Sequence, residues 1–185
     1  RPYALRWGRE NRCGETFQVK PLYPDIFDDW SKRHKATPEN PHAAADAYLQ
    51  HARGFDLLGL RGCYTQESYH DRDLGISTAT VRFTLPGAPG TYWERLIDQP
   101  ARFGKKKARF AYGSKYQGLW WTMPGHTPEV LAAANEIWIA EGMFDAIALN
   151  QAPAFKDRGA IAVSTPTCIN YPAQAIGTAR IAAAV

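Results

Sequence analysis

Ile137, Trp138, Ile139 and Ala140 form an unbroken apolar run of the length that makes a short buried strand, and the chain turns polar at Glu141. Gly142 then allows the sharp exit that starts a helix with an acidic first turn. Phe144, Ile147, Ala148 and Leu149 recur at helical spacing, and Asn150 is a residue that can stop the helix. Before the strand, residues 128–135 predict a short helix opened by Pro128; after the second helix, residues 160–164 predict another strand. Strand, helix, strand with about a dozen or more residues in the crossover predicts a parallel pair, and hence an α/β fold. In such sheets ligands bind beyond the carboxyl ends of the strands, which is where Glu141 falls.

Upstream the pattern is different. Ala44, Ala47, Tyr48 and Ala52 share one face of a predicted helix over 42–53, with Thr37 or Asn40 as its cap, and 27–35 predicts a shorter helix. In the first forty or so residues Arg1, Arg6, Arg9, Arg12 and Lys20 alternate with polar and aromatic residues, and Pro21, Pro24, Pro38 and Pro41 interrupt regular structure, so 1–41 reads as an irregular arm. Asp71-Arg72-Asp73 lies in a polar, loop-like stretch that runs to Gly75.

At 185 residues and 45% hydrophobic, the chain can bury a real core as one domain or two small ones. It contains no run of about 18 apolar residues and no signal-peptide core, so a cytoplasmic location and no membrane partner are expected. Cys13, Cys63 and Cys168 are far apart and form no C-x-x-C pair, which excludes a zinc ribbon or disulfide framework and predicts reduced, structural thiols. His34, His42, His51, His70 and His126 show no metal-ligand spacing.

The formal charge of +4 is modest, but Arg102, Lys105, Lys106, Lys107, Arg109 and Lys115 fall in one stretch without an acid. Tyr112, Tyr116, Trp120 and Trp121 are interleaved with it or follow it. Lysines beside a groove hold phosphates in a salt-dependent way, and aromatic rings stack on unpaired bases at roughly 1–3 kcal/mol each. A solvated loop followed by core tryptophans explains the same stretch equally well.

A resemblance covers roughly residues 45 to 165. The stretch 136–164, with Glu141, Gly142, Asp145 and Ala146, resembles the first half of a Toprim domain, the metal-binding α/β unit of bacterial primases, type IA and type II topoisomerases and some nucleases. Residues 47–54, with Tyr48, Leu49, Arg53 and Gly54, are similar to the start of the primase catalytic core. Residues 80–85 and 91–96 around the turn at 86–90 resemble its β-hairpin, and 104–120 is similar to the lysine-rich segment of primases carried by phages, plasmids and conjugative elements. The pieces occur in the family's order. The implied organisation is the arm over 1–41, an α+β primase-core subdomain over 42–127, and a partial Toprim domain over 128–185.

The resemblance implies template-directed primer synthesis by nucleotidyl transfer, with Mg²⁺ or Mn²⁺ as cofactor and single-stranded DNA, nucleoside triphosphates and a replicative helicase as partners. Glu141 becomes the catalytic, metal-binding acid, with Asp145 as a second ligand or, more simply, a helix cap. Arg95, Lys105, Lys106, Lys107 and Lys115 become phosphate ligands and Tyr116 a nucleic-acid contact. Arg53 and Arg82 are weaker candidates, since either also suits a structural ion pair. Two ions need several carboxylates. The family's D-x-D follows the glutamate, so Asp71 and Asp73 do not supply it. Residues 180–185 read as the start of the strand that leads to it, so the missing acids are expected beyond Val185, the chain being a piece of a longer protein and inactive alone. A non-catalytic single-strand-binding module, or a Toprim nuclease or topoisomerase, remains as an alternative.

Overall fold

The computed structural model describes residues 28–86, 88–116 and 119–165, together with the backbone of two short strands, β1 (Trp7–Arg9) and β2 (Thr16–Gln18). These two pair antiparallel, Trp7 opposite Gln18, so part of the predicted irregular arm is a strand pair. Trp, Thr and Phe favour the extended backbone, and neither strand contains one of the arm's prolines.

Alternation along β4 (Ile76–Thr84) organises the next layer. Val81 and Phe83 are fully buried on one face, whereas Thr80 and Arg82 face the other. Among the described residues β4 lies inside a four-stranded antiparallel sheet with β3 (Thr65–Asp71), β5 (Tyr92–Leu96) and β6 (Ala108–Phe110), in the order β3-β4-β5-β6. The hairpin of β4 and β5 forms where the resemblance implies one, with Thr84 opposite Tyr92 and Thr80 opposite Leu96. β3 corrects the loop-like reading: Asp71 ends a strand paired with β4 from Thr65↔Arg82 to Asp71↔Ile76. Its polar residues hide the strand because they are satisfied by hydrogen bonds and ion pairs instead of by apolar burial.

Two helical segments cover the apolar face. The helix predicted over 27–35 is the four-residue α1 (Trp30–Arg33), held to the sheet by the buried carboxylate of Asp98. That carboxylate accepts from Ser31 N–H at 2.9 Å, Ser31 Oγ at 2.6 Å and Ala79 N–H at 2.9 Å. The helix predicted over 42–53 is α2 (Ala43–Ala47), which widens into a π turn over Tyr48–Ala52. Ala44, Ala47 and Tyr48 are buried as their shared face requires, but the wider turn leaves Ala52 exposed. Neither Thr37 nor Asn40 caps it. The Oε1 of Gln66 on β3 accepts from the N–H groups of Ala44 at 2.8 Å and Ala45 at 2.9 Å, so the cap comes from the neighbouring sheet.

The α/β unit follows the predicted order. Helix α3 (Pro128–Ala133) is capped by Thr127 and leads into β7 (Glu136–Ala140). Helices α4 (Met143–Gln151) and α5 (Pro153–Asp157) then cross to β8 (Ala160–Ser164), which runs parallel to β7 from Glu136↔Ala160 to Ala140↔Ser164. Asn150 does not stop α4. It lies within the helix, where its side-chain amide donates to Ala162 C=O and accepts from Ala162 N–H, both at 2.8 Å, pinning α4 to β8. Pro153 enforces the break. On the other side of β8, Trp121 exchanges two backbone hydrogen bonds with Ser164, at 2.8 and 2.7 Å.

One buried cluster runs from Trp30 through Phe83 and Trp121 to Ala162, across the position between 127 and 128 where the sequence suggests a boundary. Half-buried Cys63 donates to Leu60 C=O at 3.0 Å, and burial pushes its thiol up to about 12, as a structural thiol requires. Cys13, Cys168 and the strand predicted over 180–185 lie outside the described residues. No described helix is long and apolar enough to cross a membrane.

Phe83 is the fully buried ring shared by the antiparallel sheet and the α/β unit, in contact with Tyr64, Trp93, Trp121 and Phe144. Replacing Phe83 by Ala is expected to cost about 3–5 kcal/mol of unfolding free energy. Urea denaturation followed by tryptophan fluorescence measures it, and a loss below about 1 kcal/mol would show that the two parts do not share this core.

Candidate metal and nucleic-acid site

β7 hydrogen-bonds to β8 along its length and delivers Glu141 just beyond its carboxyl end, where the side chain is exposed. Gly142 follows with φ −119° and ψ 155°, an extended conformation open to any residue. The glycine is therefore not needed for an unusual backbone angle, as the sequence reading assumes. A Cβ there would lie 2.9 Å from Oδ2 of Asp145, the movable end of a side chain, so a larger residue asks only that this carboxylate swing aside. Asp145 folds its carboxylate back toward Gly142 in the first turn of α4, where negative charge complements the helix dipole. Beside this junction Thr165 N–H donates to Ala140 C=O at 3.3 Å, joining the two strand ends.

Glu141 and Asp145 offer two carboxylates to a hard cation. Mg²⁺ is commonly held by one or two carboxylates, with water and substrate phosphates completing its shell, so the donor type suits such an ion. Among the described residues no three His, Cys, Asp or Glu side chains come together, so they do not build a two-ion site. Asp71, set aside in the sequence, is indeed committed elsewhere, to Lys106 and Tyr69.

Arg53 reaches this region from the upstream motif. Its Nε and Nη2 donate to the Tyr48 hydroxyl at 3.0 and 2.7 Å, and its guanidinium lies 4.7 Å from the centroid of the Phe144 ring. Phe144 is the second residue of α4, three positions after Glu141. Residues almost ninety positions apart in sequence therefore present an exposed guanidinium and an exposed carboxylate around the same helix start. From sequence Arg53 is a weaker candidate because it also suits a structural ion pair; in the fold its side chain is held by the Tyr48 hydroxyl.

The cationic stretch divides sharply. Arg109 donates to Glu94 at 2.8 Å and Arg82 donates to the same carboxylate at 3.0 Å through two nitrogens, while Thr80 Oγ1 donates to it at 3.1 Å. Glu94 is fully buried, and Arg82, Glu94 and Arg109 form one cross-strand row over β4, β5 and β6. Lys106 pairs with Asp71 at 2.8 Å and donates to the Tyr69 hydroxyl at 3.2 Å. Hydrogen bonds from Lys106 and Tyr69 hold the Asp71 carboxyl down at about 2, and the same pair holds the Lys106 ammonium above its ordinary range. Arg82, Lys106 and Arg109 are thus partners of acids drawn from other strands.

Arg95 sits in register between Val81 and Ala108, on the face opposite the Glu94 row, and its buried Nε has no hydrogen-bond partner among the described residues. It does not join the lysines. Tyr116 stacks on Phe110 with centroids 4.1 Å apart and planes within 13°, so one of its faces is taken. Trp121 is core, and Trp120 packs against the smaller cluster of Leu131, Ile137, Ile161 and Val163. Lys105 and Lys107 are exposed before β6, Lys115 is exposed after it, and Tyr112 is 99% exposed between them. Among the described residues β6 is an edge strand, where lysines also discourage pairing with another sheet.

Compared with known proteins, the chain matches no family model, no curated protein and no solved structure.

The Asp71–Lys106 pair has a signed pH dependence. A carboxyl held at about 2 when folded, against an ordinary 3.8, contributes stability that is fully present above pH 4 and is lost as pH falls through about 2. Between pH 4 and 2 the wild type is expected to lose thermal stability faster than an Asp71→Asn variant. Parallel melting curves over that interval refute the pairing.

Proposed function

We propose that this chain belongs to the catalytic core of an enzyme that synthesises primers on single-stranded DNA by metal-dependent nucleotidyl transfer. The observation that carries the reading is the exposed carboxylate of Glu141 at the carboxyl end of β7, with Arg53 brought to the start of the helix that follows it. That place is where open α/β sheets bind ligands, and the two residues supply complementary chemistry for a triphosphate and its counter-cation. It also agrees with the order of motifs in the sequence.

In this reading Glu141 supplies the principal ligand to Mg²⁺ or Mn²⁺, and Asp145 supports it from the first turn of α4. The ion, when bound, favours the ionised 3′ hydroxyl and neutralises charge on the leaving group. The 3′ oxygen forms a bond to the α-phosphorus as the bond to pyrophosphate breaks, and the hydroxyl proton passes to solvent. Arg53 offers a planar fork to the phosphates of the incoming nucleoside triphosphate, and its anchorage on Tyr48 holds that fork in place. Lys105, Lys107 and Lys115 hold the template by charge, while Arg82, Lys106 and Arg109 maintain the sheet that carries them. A replicative helicase is the partner class that supplies single strand to such an activity.

The second reading is a non-catalytic module that binds single strands. It is favoured by the small acid set, since the described residues place two carboxylates at the strand end and Asp145 lies over its own helix. Primer synthesis separates the two. In its full natural length the protein is expected to extend labelled ribonucleotides on single-stranded DNA with Mg²⁺ or Mn²⁺, and Glu141→Gln to lower the rate at least about 100-fold with an unchanged melting temperature. No products with single-strand binding intact would establish the module, and strand cleavage in the same assay would establish a nuclease or topoisomerase.

A further inference from the structure

Tyr112 is exposed by construction. The Ala111 N–H donates to Tyr92 C=O at 3.0 Å, anchoring the loop to β5. The Ser114 N–H and Oγ both donate to Ala111 C=O, at 3.2 and 2.8 Å, closing a turn over 111–114. Gly113 takes φ +70° where a type II turn needs a positive angle. Tyr112 is therefore the first central residue of an ordered turn, and the stacked rings of Phe110 and Tyr116 clamp the neck below it. The turn's backbone is already fixed at both ends, so contact of this 99% exposed ring with a flat partner costs only the ring's own rotamer freedom.

The surroundings select the partner. Lys115 is exposed on the same loop, and Lys105 and Lys107 are exposed at the other end of β6, with no acid between residues 99 and 128. Five residues of extended chain from Lys107 to Tyr112 span about 16 Å along the open edge of the sheet. A polyanion with accessible flat groups satisfies both ends of that strip. Duplex bases are already stacked on each other, whereas unpaired bases offer their faces to an aromatic ring.

We infer that single-stranded nucleic acid runs along the outer edge of β6, with its phosphates on Lys107 and Lys115 and one unpaired base stacked on Tyr112. This rests on the nucleic-acid reading above and adds the route and the residue that makes the stack. Tyr116 and Trp121 contribute by supporting the turn and the core.

Fluorescence anisotropy with the full chain tests it, using an end-labelled oligothymidylate and an oligonucleotide of the same length whose internal positions are abasic. Tyr112→Ala is expected to weaken oligothymidylate binding by about fivefold to 150-fold, the ratio that roughly 1–3 kcal/mol of stacking corresponds to. Tyr112→Phe should retain the wild-type affinity, and the abasic strand should bind wild type and Tyr112→Ala alike. The melting temperature should not move, because the ring touches solvent. If Tyr112→Ala binds oligothymidylate as the wild type does while Lys107→Ala or Lys115→Ala binds it less well, the stack is refuted and the nucleic-acid reading stands. If the wild type binds neither oligonucleotide, both are refuted.

Discussion

The Phe144 ring packs against Tyr48 from α2, Phe55 from the segment after it, and Phe83 and Trp93 from the antiparallel sheet, with centroids 5.4 to 6.2 Å apart. Most of these approach edge-on, the arrangement aromatic quadrupoles favour, at roughly 0.5–1.5 kcal/mol beyond burial for each pair. Because Phe144 is also in the first turn of α4, the same packing fixes where that helix begins. The direction in which β7 hands over Glu141 is therefore set by a sheet formed sixty residues earlier. Arg53 is placed by the same ring, lying over it while its Nε and Nη2 donate to the Tyr48 hydroxyl. The candidate site and the core are thus one construction, and the α/β unit takes its orientation from aromatic contacts that it does not itself contain.

On the opposite side of the antiparallel sheet the organising principle is charge. A buried carboxylate is costly unless its oxygens are fully occupied, and Glu94 meets that condition with three donors from two neighbouring strands. The arrangement works in only one register, since sliding β6 by one residue would turn Arg109 to the other face. Arg82 is further enclosed by the Tyr92 ring, 3.8 Å away, and Arg109 by the ring of Tyr69 at 4.5 Å. In the sequence Arg109 reads as part of a cationic surface, and Arg82 as a weaker phosphate candidate that also suits a structural ion pair. In the fold they define strand order, because their acids stand fifteen or so residues away along the chain yet directly opposite across the sheet.

What the sequence reveals and what it hides follows from the same distinction. The strand–helix–strand unit is legible because β7 and β8 are apolar runs separated by a helix-length crossover, signals that local pattern carries well. β3 is invisible because its residues are polar and their partners, Lys106 and Gln66's helix, are non-local. The π turn that turns Ala52 outward, and the amide of Asn150 that binds a strand instead of ending a helix, are likewise decided by tertiary contacts. For the site, Glu141 follows the end of β7 and Asp145 lies in the first turn of α4, as the sequence pattern predicts, while Gly142 takes an ordinary extended conformation. Of the cations proposed from sequence, Lys106 proves to be paired and Arg95 to lie on the other face of the sheet.

The pairing itself identifies what is left for a ligand. Structural requirements account for Arg82, Lys106 and Arg109, whose removal would leave acids buried or half-buried without a counter-charge. They do not account for a strip in which Lys105, Lys107 and Lys115 stand exposed and a tyrosine is raised on a clamped turn. Edge protection explains a lysine or two, because a charged side chain prevents a second sheet from docking on β6. It does not explain Tyr112, since an exposed aromatic beside an open strand edge works against such protection. A partner that is anionic and flat makes the lysines and the ring mutually consistent, and it lies against the same sheet whose core sets the position of Glu141.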